Sequence, residues 1–344
     1  MARRCLVSGL VSAVGFDQSI GYYQLSLHTL RTLSGIHTML RLLKPALLLF
    51  TLGTLTTTPA QSQNASDRPF VAGEPLNLSS NARTYGGFRF AESMSYDAER
   101  DLYVTVNAGM AQDLVLNDGY ISLINPDGTA HTLKWIGVNR DGLTLNHPLG
   151  SDIINGLLYV ADINVVRWFD MATGEPRGSV SVEDALFFND IEVAEDGTIF
   201  ATQTGTEDPA SWRIYRITPW GESSVFVADP VLARPNGIAF DRRGNIVVVT
   251  VLSNDVLTYA LDGSLVNTEH TVDPGNDGLV IVDDGTKYVS SVRQGTVSRI
   301  RPGQPAEIVA YGIPSAASMS YDSRRNRLII PMNDWNAITI VDLD

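Results

Sequence analysis

The sequence predicts an all-β fold, a six-bladed β-propeller whose last blade is closed by an N-terminal strand. Three observations carry the prediction. Six similar units of about 40–57 residues follow one another, the mark of a radially repeated fold. Each unit opens with two short apolar strands joined by a polar turn, as in "ESMSYDAERDLYVTV" from Glu92 and "ASMSYDSRRNRLIIP" from Ala317. The last unit ends at Asp344 one strand short of the others.

The remaining units are "GSDIINGLLYVADIN" from Gly150, "NDIEVAEDGTIFATQ" from Asn189, "NGIAFDRRGNIVVVT" from Asn236 and "DGLVIVDDGTKYVSS" from Asp277. Their turns use Asn155-Gly156, Asp196-Gly197, Arg243-Gly244 and Asp284-Gly285. Asn and Gly accept positive φ cheaply, so these are hairpin signals with a cause. A third strand follows in every unit, such as "WRIYRITPWG" or "VLTYALDG", and five units add a fourth, such as "SSVFVAD". The strand missing from the sixth unit is expected from the segment Pro69 to Arg89, because closing the ring hides an edge that would otherwise recruit other chains. A pair of β-sandwiches leaves the sixfold register unexplained.

The chain divides accordingly. Residues 63–88 supply the closing strand and 89–344 form the propeller. From Met39 the chain reads "MLRLLKPALLLFTLGTLTTTPAQSQ": basic Arg41 and Lys44, an apolar run from Ala46 to Leu55, then small residues. This is the layout of a secretory signal over 39–62, with an apolar run too short to span a bilayer. It implies a periplasmic or secreted protein with no stable membrane anchor after signal removal. Residues 1–38 lie upstream of that signal, have no assigned role and read as a start assigned too early. The single cysteine, Cys5, falls in the part that would be discarded, so the mature chain has neither a disulfide nor a thiolate nucleophile. The 38 acidic groups outnumber the 25 basic ones, and a net charge of -13 disfavours nucleic acid as a partner. A small-molecule substrate is the expected partner.

In a propeller the first strand of each blade lines the central channel, and the entering ends ring one mouth. At that register stand Glu92, Leu149-Gly150, Asn189, Asn236, Asp277 and Ala317. Taken singly, "RPNGIAFD" or "GNDGLVIV" reads as turn material, because Asn, Asp and Gly serve turns. Four side-chain oxygens at one register favour another reading: a site for one divalent metal ion held by Glu92, Asn189, Asn236 and Asp277. Hard cations take such donors, calcium first, with zinc, manganese or magnesium compatible. Without a cation, Glu92 and Asp277 are like charges in a confined space.

The set "AESMSYD", "FFNDIEVAEDG", "RPNGIAFD" and "GNDGLVIVDDG" resembles the gluconolactonase and senescence-marker-protein (regucalcin-like) family over roughly Glu92 to Asp344. The resemblance implies a metal at the channel mouth bound by Glu92, Asn236 and Asp277, with Asn189 contacting substrate or a metal-bound water. Two departures stand out. Ser93-Met94 follow the first Glu where the family often has Gly-Pro. Phe187 stands where sugar-lactone hydrolases commonly carry Arg, which removes a group able to fork onto hydroxyls or a carboxylate.

The expected chemistry is hydrolysis of a lactone or small ester. A cation would polarise the carbonyl, Asp277 would act as ligand and general base, and Asn189 would orient water or carbonyl. No Gly-x-Ser-x-Gly elbow offers a nucleophile in 63–344. Candidate substrate contacts are Phe187, His147, Met110, Arg293 and Trp335. His147, just before the second inner strand, reads either as a base overhanging the mouth or as a loop residue bonded to backbone. Trp335 reads equally as a blade-packing aromatic. The competing reading is a non-catalytic propeller that binds a ligand or partner and is stiffened by a structural metal. A lyase or isomerase using the same metal is a third.

Overall fold

The computed structural model describes residues 70–71, 74–110, 115–137 and 144–344. The signal and upstream segments expected over 1–62 lie outside the described residues. Six four-stranded antiparallel sheets follow in chain order, and short 3-10 turns are the only helical elements among the described residues. The inner strands are Ala91–Asp97, Pro148–Ile154, Ile191–Val193, Pro235–Phe240, Asn276–Ile281 and Ser320–Asp322, one for each of blades 1 to 6.

Strand periodicity explains the ring. Successive side chains of a strand face opposite sides, so a blade buried on both faces needs apolar residues at nearly every position. The second strands Leu102–Asn107, Ile246–Thr250 and Arg327–Met332 are buried along their whole length. Val104 and Val106 pack with Leu158 and Val160 of blade 2, while the intervening Tyr103 packs with Ile329 and Ile338 of blade 6. Ile246 and Val248 face blade 3, and Val247 and Val249 face blade 5. Each apolar cluster sits between two blades, and blade 6 packs on blade 1 as any other pair does. The outer strands are the wet ones, as in Leu265–His270.

The N-terminal strand closes the ring. Ala82–Gly86 pairs with Ala337–Asp342, with Ala337 opposite Gly86 and Ile340 opposite Arg83. Thr84 and Thr339 share a hydrogen bond at 2.9 Å, and Arg83 reaches Asp342 at 2.6 Å. At the same end of blade 6, the Tyr103 hydroxyl of blade 1 donates to Asp322 at 2.6 Å. The inner hairpins turn as their sequences require: Asn155 and Gly156 both have positive φ, and Gly197, Gly244 and Gly285 lie between +78° and +87°.

A candidate metal site at the hub

The side chains expected at the mouth are not simply the first residues of regular strands. In blades 1, 2, 4 and 5 the inner strand starts with a break in register. It falls between Ala91 and Ser93, Pro148 and Ser151, Pro235 and Ile238, and Asn276 and Leu279. Glu92, Asn236 and Asp277 each occupy such a break. A bulge leaves a residue unpaired and re-aims its side chain, which is how three blades turn an oxygen toward one hub.

The residue after each bulged position explains the Asn-Gly and Asp-Gly pairs. A Cβ on Gly237 would lie 2.3 Å from the Asp277 carbonyl oxygen, and one on Gly278 would lie 2.6 Å from the Met319 nitrogen. At Gly150 the obstacle is the Cα of Asp190, 2.5 Å away. None of the three has positive φ. Glycine is there so that adjacent inner strands can touch, and the turn reading of these dipeptides is replaced by close packing of backbones. Blade 1 carries Ser93 instead. Its hydroxyl donates to the Leu149 carbonyl at 2.6 Å, and Ser93 also bridges Ser318 of blade 6.

Of the residues expected at the mouth, Asn236 and Asp277 are in direct contact. Asn236 Nδ2 donates to Asp277 Oδ2 at 3.1 Å. Asn236 Oδ1 and Asp277 Oδ1 are both buried with no partner. Burial pushes the Asp277 carboxyl well above its ordinary range, and the charges of Glu92 and Asp190 push it further. Burial likewise moves Glu92 up to about 7. The Asn333 amide opposes that shift, and the charges of Asp334 and Asp190 add to it. Asn189 lies buried in the same ring. Its backbone carbonyl accepts from Gly150, and its side chain makes no hydrogen bond within the described residues.

Asp190 is the residue the sequence reading passed over. Its carboxyl is buried and raised to about 7, chiefly by desolvation. It accepts from Ile191 N at 3.0 Å, Ser318 Oγ at 3.1 Å and Ile238 N at 3.4 Å, so it ties blades 3, 4 and 6 together. Deeper in the channel a cavity of about 270 Å³ is lined by Asp190, Asp152 and Glu192. Burial raises Asp152 to about 6 and Glu192 well above its ordinary value. No cationic side chain is among the groups that shift these five carboxyls.

Two unpartnered buried oxygens beside uncompensated carboxyls suit a hard cation. Among the described residues no three His, Cys, Asp or Glu side chains converge closely enough to hold a metal by themselves. The carboxamides are therefore essential to any such donor set.

A pH dependence follows for the protein kept in chelator. Glu92 keeps its proton to about pH 7 when folded and loses it near 4.5 when unfolded. Between those values the folded state holds more protons, so folding stability falls as pH rises. The loss is roughly 3 kcal/mol for one such group. Thermal melts in chelator should show the melting temperature dropping between pH 5 and 8; a rise over that range would contradict the assignment.

The outer candidates are scattered more widely. Phe187 is half-buried beside Phe188, which is fully buried and packed edge-on against Tyr215 at 5.7 Å. His147 stacks on Phe90 at 6.3 Å, with its backbone N–H on Asp162 at 2.8 Å. Burial lowers its pKa from the ordinary value, so it stays neutral near pH 7. Its Nδ1 is buried without a partner. His147 is thus a loop histidine with one ring nitrogen unpartnered. Met110 is exposed, with its N–H on Asp118 at 2.9 Å. Arg293 is exposed and lays its stem across Gly275, two residues before Asp277. Trp335, partly buried, packs on the apolar cluster between blades 5 and 6, as the blade-packing alternative has it.

Known proteins share this architecture. A gluconolactonase from Xanthomonas campestris is 18% identical and superposes with a TM-score of 0.57 over 82% of this chain and 99% of its own. Virginiamycin B lyase from Staphylococcus aureus is 13% identical, with a TM-score of 0.55 over 78% of this chain and 100% of its own. At such identities the likeness shows the fold alone. No curated protein sequence matches the chain. The sequence profile described as SMP-30/Gluconolactonase/LRE-like region matches residues 123–321, more than half of the chain, with the inner strands of blades 2 to 5 complete. On that match the chain belongs to the SMP-30/gluconolactonase/LRE-like family.

Proposed function

We propose that the protein is an exported hydrolase of a lactone or small carboxylic ester that works with one divalent cation, calcium by preference. The observation that carries this reading is the pair of buried oxygens without partners, Asn236 Oδ1 and Asp277 Oδ1, beside Glu92. Asn189 would complete the set. A cation held by these residues would supply polarisation of the substrate carbonyl and stabilisation of the charge that develops on its oxygen.

The rest falls to the chain's own groups. Asn236 holds Asp277 through Oδ2, and Asp277 is the carboxylate placed to take a proton from the attacking water. Asn189, with its amide unengaged, orients that water or the carbonyl. Phe187 and Met110 give the mouth apolar walls, Arg293 offers a cation at the rim, and His147 and Trp335 bound the remaining sides. The gluconolactonase with the same fold supports a cyclic ester as substrate, while Phe187 argues for one less polar than a sugar lactone. Export rests on the segment 39–62.

Acid release from a panel of aliphatic and sugar lactones tests the reading. Activity should appear with calcium, vanish in chelator, and fall about 100-fold or more in Asp277→Ala. Tight calcium binding with no turnover of any lactone or ester would favour the non-catalytic propeller instead. The free Nδ1 of neutral His147 supports one further alternative, elimination, as the likeness to a lyase suggests. An unsaturated product in place of a hydroxy acid would identify it.

A further inference from the structure

Asn333 stands in the turn after the second strand of blade 6. Its side chain is buried, with Nδ2 donating to Glu92 Oε2 at 2.7 Å. The other end of the amide is engaged too. Asn333 Oδ1 accepts from the Ser315 hydroxyl and from the Asp334 backbone N–H, the latter at 2.7 Å. These donors fix which way the amide points. Turned over, it would set its NH2 against an N–H and place its oxygen against a carboxylate.

The Asn236 and Asn333 carboxamides both give an N–H to a carboxylate of the hub, but Asn236 keeps its oxygen free and Asn333 has its oxygen tied. Asn333 is therefore no ligand, although it touches Glu92. We infer that Ser315 and Asn333 form a positioning pair that pins Glu92 Oε2 and so presents the remaining oxygen, Oε1, to a divalent cation. This rests on the metal-site reading above.

The backbone supports the assignment. Ser315 has φ +57°, a left-handed conformation that costs a serine about 1 kcal/mol and glycine almost nothing. A serine kept there supplies a hydroxyl that glycine lacks. The Asn333 N–H also donates to the Ser315 carbonyl at 3.2 Å, so main chain and side chain link the same two residues. Ser315 Oγ lies 3.3 Å from Asp334 Oδ2 as well, and it is the Asn333 contact that connects it to Glu92.

Titration calorimetry with calcium chloride on the folded protein tests the pair. Asn333→Ala and Ser315→Gly should each raise the calcium Kd about tenfold or more, as loss of an outer hydrogen bond to a ligand does. The two losses should not add: the double variant should bind within about twofold of Asn333→Ala, because Ser315 acts through Asn333. Melting in chelator separates this from general damage, since Ser315→Gly suits its backbone and should melt no lower than wild type. Should Asn333→Ala fail to fold, Ser315→Gly carries the test. An unchanged Kd in the variants, or fully additive losses, overturns the positioning role alone. A wild-type protein that takes up no calcium overturns the metal-site reading, and the positioning role with it.

Discussion

Replacing Gly278 by alanine is expected to destabilise the propeller by about 3 kcal/mol or more, the range of an overpacked backbone contact. The added Cβ would stand 2.6 Å from the Met319 nitrogen, 2.7 Å from the Ala317 oxygen and 2.8 Å from the Ser318 Cα. All three are main-chain or Cα positions of blade 6, so no rotamer change relieves the clash, and the two inner strands must move apart. Gly237→Ala presses on Asp277 O at 2.3 Å and Leu279 N at 2.8 Å, so it should also separate Asn236 from Asp277 and weaken calcium binding. Gly86→Ala is the control: nothing lies within 4 Å of its Cβ and its φ is not positive, so it should change stability by less than about 0.5 kcal/mol. Denaturant melts of the three variants decide the matter. If Gly278→Ala unfolded with the control, the close approach of the inner strands would not be what those glycines serve.

The same glycines show what could be read from the sequence. The sixfold repeat was legible because a blade packed on both faces forces apolar strands of period 2, and its turns force residues that tolerate positive φ. The meeting of Asn236 and Asp277 was legible because the repeat aligns the starts of the inner strands. The cause of the Asn-Gly and Asp-Gly pairs was not: a glycine in a turn and a glycine beneath a neighbouring strand look alike until the strands are placed. Asp190 was hidden as the second half of what reads as a turn dipeptide, yet it accepts hydrogen bonds from blades 4 and 6. Asn333 was hidden more deeply. It reaches Glu92 across 241 residues of chain, from a turn outside the repeated register, and its role depends on Ser315 fixing the amide. Local pattern reveals residues that recur in each unit, and ring closure creates contacts that occur once.

Glu92→Gln should make the protein more stable in chelator and unable to hold calcium well. The buried carboxyl of Glu92 sits near Asp190, Asp334 and Asp277 with no cationic side chain among the groups that shift it. Ionising it at pH 8 works against burial and against those charges. Glutamine removes that cost and keeps an oxygen to accept the Asn333 N–H. With its pKa at about 7 against an ordinary 4.5, the wild type gives up roughly 3 kcal/mol above pH 7, so the variant should gain about that much at pH 8. At pH 4.5, where folded Glu92 is protonated, the difference should nearly vanish. Calcium should reverse the order: at a thousand times its Kd it stabilises the wild type by about 4.1 kcal/mol, and a variant missing a ligand charge should show little of that gain. Melting curves at the two pH values, with chelator and with calcium, give the full comparison. A Gln variant less stable than wild type at pH 8 in chelator would mean that the carboxylate is compensated by some cation of the chain, and the hub would then need no metal to balance it.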